Sequence, residues 1–217
     1  MYRLLVSSLI FTIVLISACE EKPKNNSRVA YLPYYNSADF TPRWLNPNSD
    51  SLKSFHNIKP FRLTNQNGQL VTEKTFEGKI YVADFFFTTC PGICPRMTNN
   101  MALLQEEFKD NPKILLLSHS ITPSIDSVSV LKEYADVKGI DANKWHITTG
   151  ERSEIYDLGR NYYFIEEDLG IEKSEDDFLH TENFVLVDEN RHIRGIYNGL
   201  KKNSLKQLIA DIYTLSQ

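Results

Sequence analysis

Basic charge is in short supply in this sequence. Lys and Arg number 24 against 28 Asp and Glu, a formal net charge of -4, and no run of them forms a patch. That excludes the electrostatic footprint of a nucleic-acid-binding protein, and the lysine pairs read as solvated surface. Repeats and low-complexity segments are absent. No apolar run reaches the roughly 20 residues that a membrane-spanning helix needs; Leu4 to Ala18 holds 15. Cysteine is scarce, at three residues, and an odd cysteine in an exported chain asks for an explanation. What is present is ordinary for a globular protein. With 41% hydrophobic and 24% charged residues, the chain can close one substantial core, with no strong case for two.

The apolar run after Arg3 suits the hydrophobic segment of a secretory signal. It ends Leu15-Ile16-Ser17-Ala18-Cys19, which resembles the bacterial lipobox. That resemblance implies cleavage before Cys19, which becomes an N-terminal residue thioether-linked to a diacylglycerol. The competing reading is an uncleaved anchor with an incidental cysteine. Both expect the domain to face the periplasm or another extracytoplasmic side, held to the cell membrane. Cleavage would remove only Arg3 among charged residues, leaving -5. Lipidation would also leave one cysteine pair, Cys90 and Cys94, in a compartment that permits a disulfide without requiring one. The expected organisation is a signal peptide over 1–18, a lipidated tether and irregular wrapping segment over 19–57, and one domain over 58–217.

From Ile58 the pattern is regular. Phe61 to Thr72 predicts a hairpin around Asn67-Gly68. Ile80 to Phe87 is a near-continuous apolar run, as expected of a strand buried on both faces. A helix is predicted from Pro95 to about Phe108, a strand over Lys113–Ser118, a helix over Ser127–Val137 and a short strand over Trp145–Thr148. A helix from Ser153 to about Tyr162 follows, then a hairpin of Phe184–Val187 with Ile193–Tyr197 turning at Glu189-Asn190. An amphipathic helix over Ser204–Leu215 closes the chain. This alternation predicts an α/β protein with a central mixed sheet flanked by helices and an N-terminal hairpin extension. The thioredoxin fold has this order of elements.

Chemistry concentrates in Thr88-Thr89-Cys90-Pro91-Gly92-Ile93-Cys94-Pro95, where a buried strand turns into a helix. Each cysteine precedes a proline, which biases it away from helical backbone, and Pro95 suits a first helical turn. Cys90 is expected to end the strand and Cys94 to sit at the helix N-terminus, where free N–H groups favour a thiolate. Two thiolates in an exposed turn form a soft site suited to Cu(I) or to redox exchange. A plain structural staple is the weaker reading, since this is good placement for reactivity.

Cys-Pro-x-x-Cys-Pro after a buried strand resembles the signature of the Sco/SenC family of thioredoxin-like copper-binding proteins. Phe178-Leu179-His180-Thr181-Glu182-Asn183 through Asp188 resembles that family's His-Ser/Thr segment, and Leu131 to Tyr134 and Trp145 to Gly150 are similar to further segments. The resemblance covers about residues 58–215. It implies a copper site of Cys90, Cys94 and His180, with Cu(I) held by two thiolates and an imidazole and Cu(II) admitted by a further weak ligand. It also implies copper delivery to the dinuclear copper centre of cytochrome c oxidase subunit II, or to another copper-site protein. The alternative is a thiol–disulfide oxidoreductase acting on partner cysteines. Helix placement favours a low pKa at Cys94, and analogy with thioredoxins favours Cys90 as attacker. The three residues between the cysteines and the presence of His180 favour metal. A peroxiredoxin reading fails, because its Pro and Thr are replaced by Ala83 and Phe87.

Blander readings hold elsewhere. His119 reads as an ordinary polar residue, and His56, His146 and His192 lack convergent partners. Met97 and Met101, one turn apart, read as core rather than as thioether ligands. The acidic stretch from Glu166 to Asp177 reads as a solvated loop able to steer a basic partner. One departure from the family stands out. Where an acidic residue usually precedes proline, this chain has Thr122-Pro123, with Asp126 nearby.

Overall fold

The computed structural model describes residues 27–166, 178, 179 and 181–217. A seven-stranded mixed sheet has the order β2-β1-β5-β4-β3-β6-β7. Its strands are β1 Arg62–Asn65, β2 Leu70–Thr72, β3 Ile80–Phe86, β4 Ile114–Ser120, β5 Trp145–Thr149, β6 Asn183–Val187 and β7 Ile193–Asn198. β3, β4 and β5 run parallel, and β1, β2, β6 and β7 pair antiparallel. The helices are α1 Cys94–Glu107, α2 Val128–Lys138, α3 Arg152–Asp157 and α4 Lys202–Leu215.

Every residue of β3 is buried, because alternate side chains feed two cores. Ile80, Val82 and Phe86 join Met97, Met101, Leu104, Leu131, Leu208 and Ile212 of α1, α2 and α4. Tyr81, Ala83 and Phe85 join Phe76, Ile155, Leu158 and Tyr163 on the other face. Covered faces explain why the run read as continuously apolar. Met97 and Met101, both 0% exposed, are filler in the first core.

Turn chemistry sets the hairpins. Gly68 takes φ +73, and the Asn65 side-chain oxygen accepts from the Asn67 and Gln69 amides, closing β1 onto β2. The β6–β7 turn is clasped by Asp188, whose Oδ1 accepts from the Asn190 and His192 amides. The predicted helix at Ser153 is α3, which widens into a π-helical turn over Leu158–Tyr162.

The segment before the sheet wraps its β7 edge. Tyr34 and Arg43 exchange backbone hydrogen bonds, and the Tyr35 amide donates to Ile193. Buried Arg194 pairs with Asp188 at 3.0 Å and donates to the Leu32 and Pro33 carbonyls. One buried cation thus ties the wrapping segment to the sheet.

Candidate metal centre

β3 ends at Phe86, four residues before Cys90, so Cys90 lies in a turn and not at the strand's end as expected from the sequence. Two anchors pull the chain out of the sheet. The Cys90 amide donates to the Phe87 carbonyl at 3.3 Å. Thr88 is held through its amide, at 3.2 Å, and its hydroxyl, at 2.5 Å, by the carboxylate of Asp126. Cys94 opens α1 as predicted, with Pro95 in the first turn and no side-chain cap before it.

The two thiols sit in opposite environments. Cys90 is half-buried, and burial acts to raise its pKa. Hydrogen bonds from the Cys94 amide and thiol and from the Gly92 and Ile93 amides outweigh that, and hold it below the ordinary thiol value. The uncapped N–H groups at the start of α1 therefore serve Cys90. Cys94 is 5% exposed and packs into the core with Phe86 and Met97. Burial pushes its thiol up to about 12; the Phe87 backbone opposes this, while Cys90 and the Asp84 charge add to it. The expectation of a thiolate at Cys94 from helix placement is thus corrected. Its side chain turns inward, so desolvation overrides the dipole.

Beneath the pair lies a polar line that sequence reasoning passed over. Asp84, 2% exposed within the apolar run of β3, accepts from the Ser118 hydroxyl. Ser118 in turn accepts from the Trp145 indole N–H at 2.8 Å. Burial pushes the Asp84 carboxyl up to about 7, against the pull of the Ser118 bond. The available signal was a lone carboxylate inside an otherwise apolar strand. His119 points to the opposite core, stacked on Phe85 at 4.6 Å, fully buried, with burial lowering its pKa to about 3. The expectation of an ordinary polar residue is thus corrected to a neutral histidine of the core.

Above the pair a cavity of about 470 Å³ is walled by Phe85, Phe87, Pro91, Ile93, Ile121 and Phe178, with both cysteines in its lining. Phe178 meets Phe87 edge-on at 5.3 Å, and Phe178 and Thr181 both line this cavity. His180 itself, the acidic stretch over 167–177 and Cys19 lie outside the described residues. Among the described residues no group of three His, Cys, Asp or Glu side chains converges. The described part of the site offers two cysteines lining an apolar pocket, one with its thiol pKa held below the ordinary value. That donor set fits a soft, monovalent metal ion and suits a hard one poorly.

The SCO1/SenC family profile matches residues 49–217. The chain belongs to the SCO1/SenC family. Among SCO1/SenC relatives, the SCO1 protein homolog of Bacillus subtilis is 30% identical over 165 residues, covering 74% of this chain and 83% of that protein. A SCO1/SenC family lipoprotein from Bacillus anthracis is 29% identical with a TM-score of 0.65, covering 75% of this chain and 96% of that one. The ScoI of Arabidopsis thaliana, solved with copper bound, is 27% identical with a TM-score of 0.55, covering 73% and 98%. The thioredoxin-like α/β fold expected from the order of elements is the fold these relatives share.

Proposed function

We propose that this protein is an extracytoplasmic copper carrier that holds Cu(I) through Cys90 and Cys94, with His180 as third ligand. The observation that carries this reading is the pair itself, two cysteines lining an apolar cavity together with Phe178 and Thr181, which flank His180 in the sequence. Copper is cargo here. Cys90 would engage first, because its thiolate is already stabilised by three backbone amides and the Cys94 thiol. Cys94 would follow by losing its proton, and the apolar wall would keep water from the sulfurs. Transfer needs only that a recipient's thiolates or imidazoles replace these ligands one at a time. The family points to the copper site of cytochrome c oxidase subunit II as recipient. The Leu15–Cys19 sequence supports lipid attachment at Cys19, holding the carrier at the membrane.

Anaerobic competition with a chromophoric chelator tests this, on a reduced form lacking residues 1–26. One copper per chain should be retained, lost in Cys90→Ala and Cys94→Ala and weakened in His180→Ala. No copper retained against a mild competitor would end the reading.

The asymmetry of the pair also favours a second reading, thiol–disulfide exchange. Cys90 thiolate would attack a partner disulfide, releasing one partner thiol. The deprotonated Cys94 would then attack Cys90 of the mixed disulfide, releasing the second thiol and leaving an internal disulfide. A reduction potential well below that of the partner would support it.

A further inference from the structure

Asp126 is 0% exposed, and its carboxylate gathers four hydrogen bonds. Oδ1 accepts from the Thr88 hydroxyl at 2.5 Å. Oδ2 accepts from the Thr88 amide at 3.2 Å, the Ser120 hydroxyl at 2.5 Å and the Thr122 hydroxyl at 3.1 Å. Both oxygens therefore grip Thr88, two residues before Cys90, while one also grips the end of β4 and the loop after it. A buried carboxylate in an otherwise covered position is retained at a cost unless its bonds are made, and here two of the four hold the cysteine turn while the other two hold the end of β4 and the loop after it. Thr122, which stands where the family usually has an acidic residue, has become a donor to Asp126 and supplies no charge of its own.

The geometry points to Asp126 as the positioning residue of the cysteine turn, acting through Thr88 to hold Cys90 where both the Gly92–Cys94 amides and the cavity can reach it. It touches no sulfur. The bridge joins the turn after β3 to the loop after β4, so it fixes the turn against the sheet. The Ile121 amide, which donates to the Phe86 carbonyl at 2.9 Å, joins the same two segments one step closer to the sheet, and Asp126 extends that link to Thr88. Groups bonded directly to metal ligands typically set affinity by about 10- to 100-fold; Asp126 acts one residue further out, so the lower end of that range is the expectation.

The metal readout rests on the proposed copper site, so the experiment carries a second readout that does not. In the full-length chain in detergent, Cu(I) affinity and the Cys90/Cys94 dithiol–disulfide potential would be measured for wild type, Asp126→Asn, Thr88→Val, Thr88→Ser and Ser120→Ala, with thermal melts alongside. Thr88→Val should weaken Cu(I) binding about 10-fold or more and move the dithiol–disulfide equilibrium constant by a similar factor, about 30 mV. Thr88→Ser, which keeps the hydroxyl, should restore both. Ser120→Ala removes a bond to the same carboxylate away from the turn, and should lower the melting temperature while leaving affinity and potential within about twofold. If Asp126→Asn fails to fold, the Thr88 pair decides alone. Unchanged affinity and potential in Thr88→Val, or an equal response in Ser120→Ala, overturns the inference. If wild type holds no copper, the copper reading fails and the potentials decide the positioning role by themselves.

Discussion

Limiting iodoacetamide, offered anaerobically to the reduced and metal-free protein at pH 7, should label Cys90 almost alone. The perturbation is mild, and its magnitude follows from the two environments. A thiol at the ordinary 9.0 is about 1% thiolate at pH 7, and Cys90 lies below that value. Cys94, pushed up to about 12 by burial, is thiolate to about one part in 10⁵. The populations thus differ by at least about 10³. The rarer thiolate is the stronger nucleophile, and a Brønsted slope of about 0.4–0.5 returns roughly 1.5 of those three decades. A preference for Cys90 of at least about 30-fold remains, before any penalty for reaching a residue that is only 5% exposed. Peptide mass spectrometry after quenching reads the ratio directly. Equal labelling, or an excess at Cys94, would refute the assignment of the N-terminal amides of α1 to Cys90.

Three further outcomes follow from burial and pairing. Between pH 3.8 and about 7 the unfolded chain releases a proton that folded Asp84 keeps, so stability is present below that window and lost as pH rises through it. Asp84→Asn, which still accepts from Ser118, should remove a slope approaching about 1.4 kcal/mol per pH unit and make the protein more stable at pH 8; urea midpoints at pH 4 and 8 check this. Met97→Leu should cost less than about 1.5 kcal/mol and leave Cu(I) affinity unchanged, whereas Met97→Ala should cost about 2–5 kcal/mol, since the side chain is core filler. Arg194→Met leaves Asp188 buried without its cation and should cost about 3–5 kcal/mol by denaturant melts, with new protease cleavage in residues 31–44 as the tied segment is released.

The strands and helices were legible because their signals are local. Ile80–Phe86 needed only an apolar run, and β1–β2 needed only Asn67 and Gly68. The cysteine turn was legible too, through its prolines. What the chain could not display was the direction in which Cys94 points. That depends on how α1 packs against β3, where Cys94 joins Phe86 and Met97 in the first core. Asp126 stood out beside Thr122-Pro123, but nothing in the sequence assigned it a role, because its partner Thr88 lies 38 residues away. Asp84 left a trace, as a carboxylate inside an apolar strand.

The same inward turn of Cys94 bears on how copper would be held. A metal that takes both sulfurs must displace the Cys94 proton, so binding releases at least one proton at any pH well below about 12. Apparent Cu(I) affinity should therefore rise at least about tenfold per pH unit between 6 and 8, after correction for the chelator. The release is not a fixed penalty, however. Cys90 itself helps to raise Cys94, through the thiol hydrogen bond and through its charge. Once Cys90 is committed, to a metal or to a partner's sulfur, that part of the barrier falls and the second proton leaves more readily. Engagement is thus ordered, Cys90 before Cys94, in the copper reading and the exchange reading alike. Competition titrations at pH 6, 7 and 8 measure the slope. A slope clearly below tenfold per pH unit would mean that Cys94 keeps its proton and is no ligand, leaving Cys90 and His180 to hold the metal.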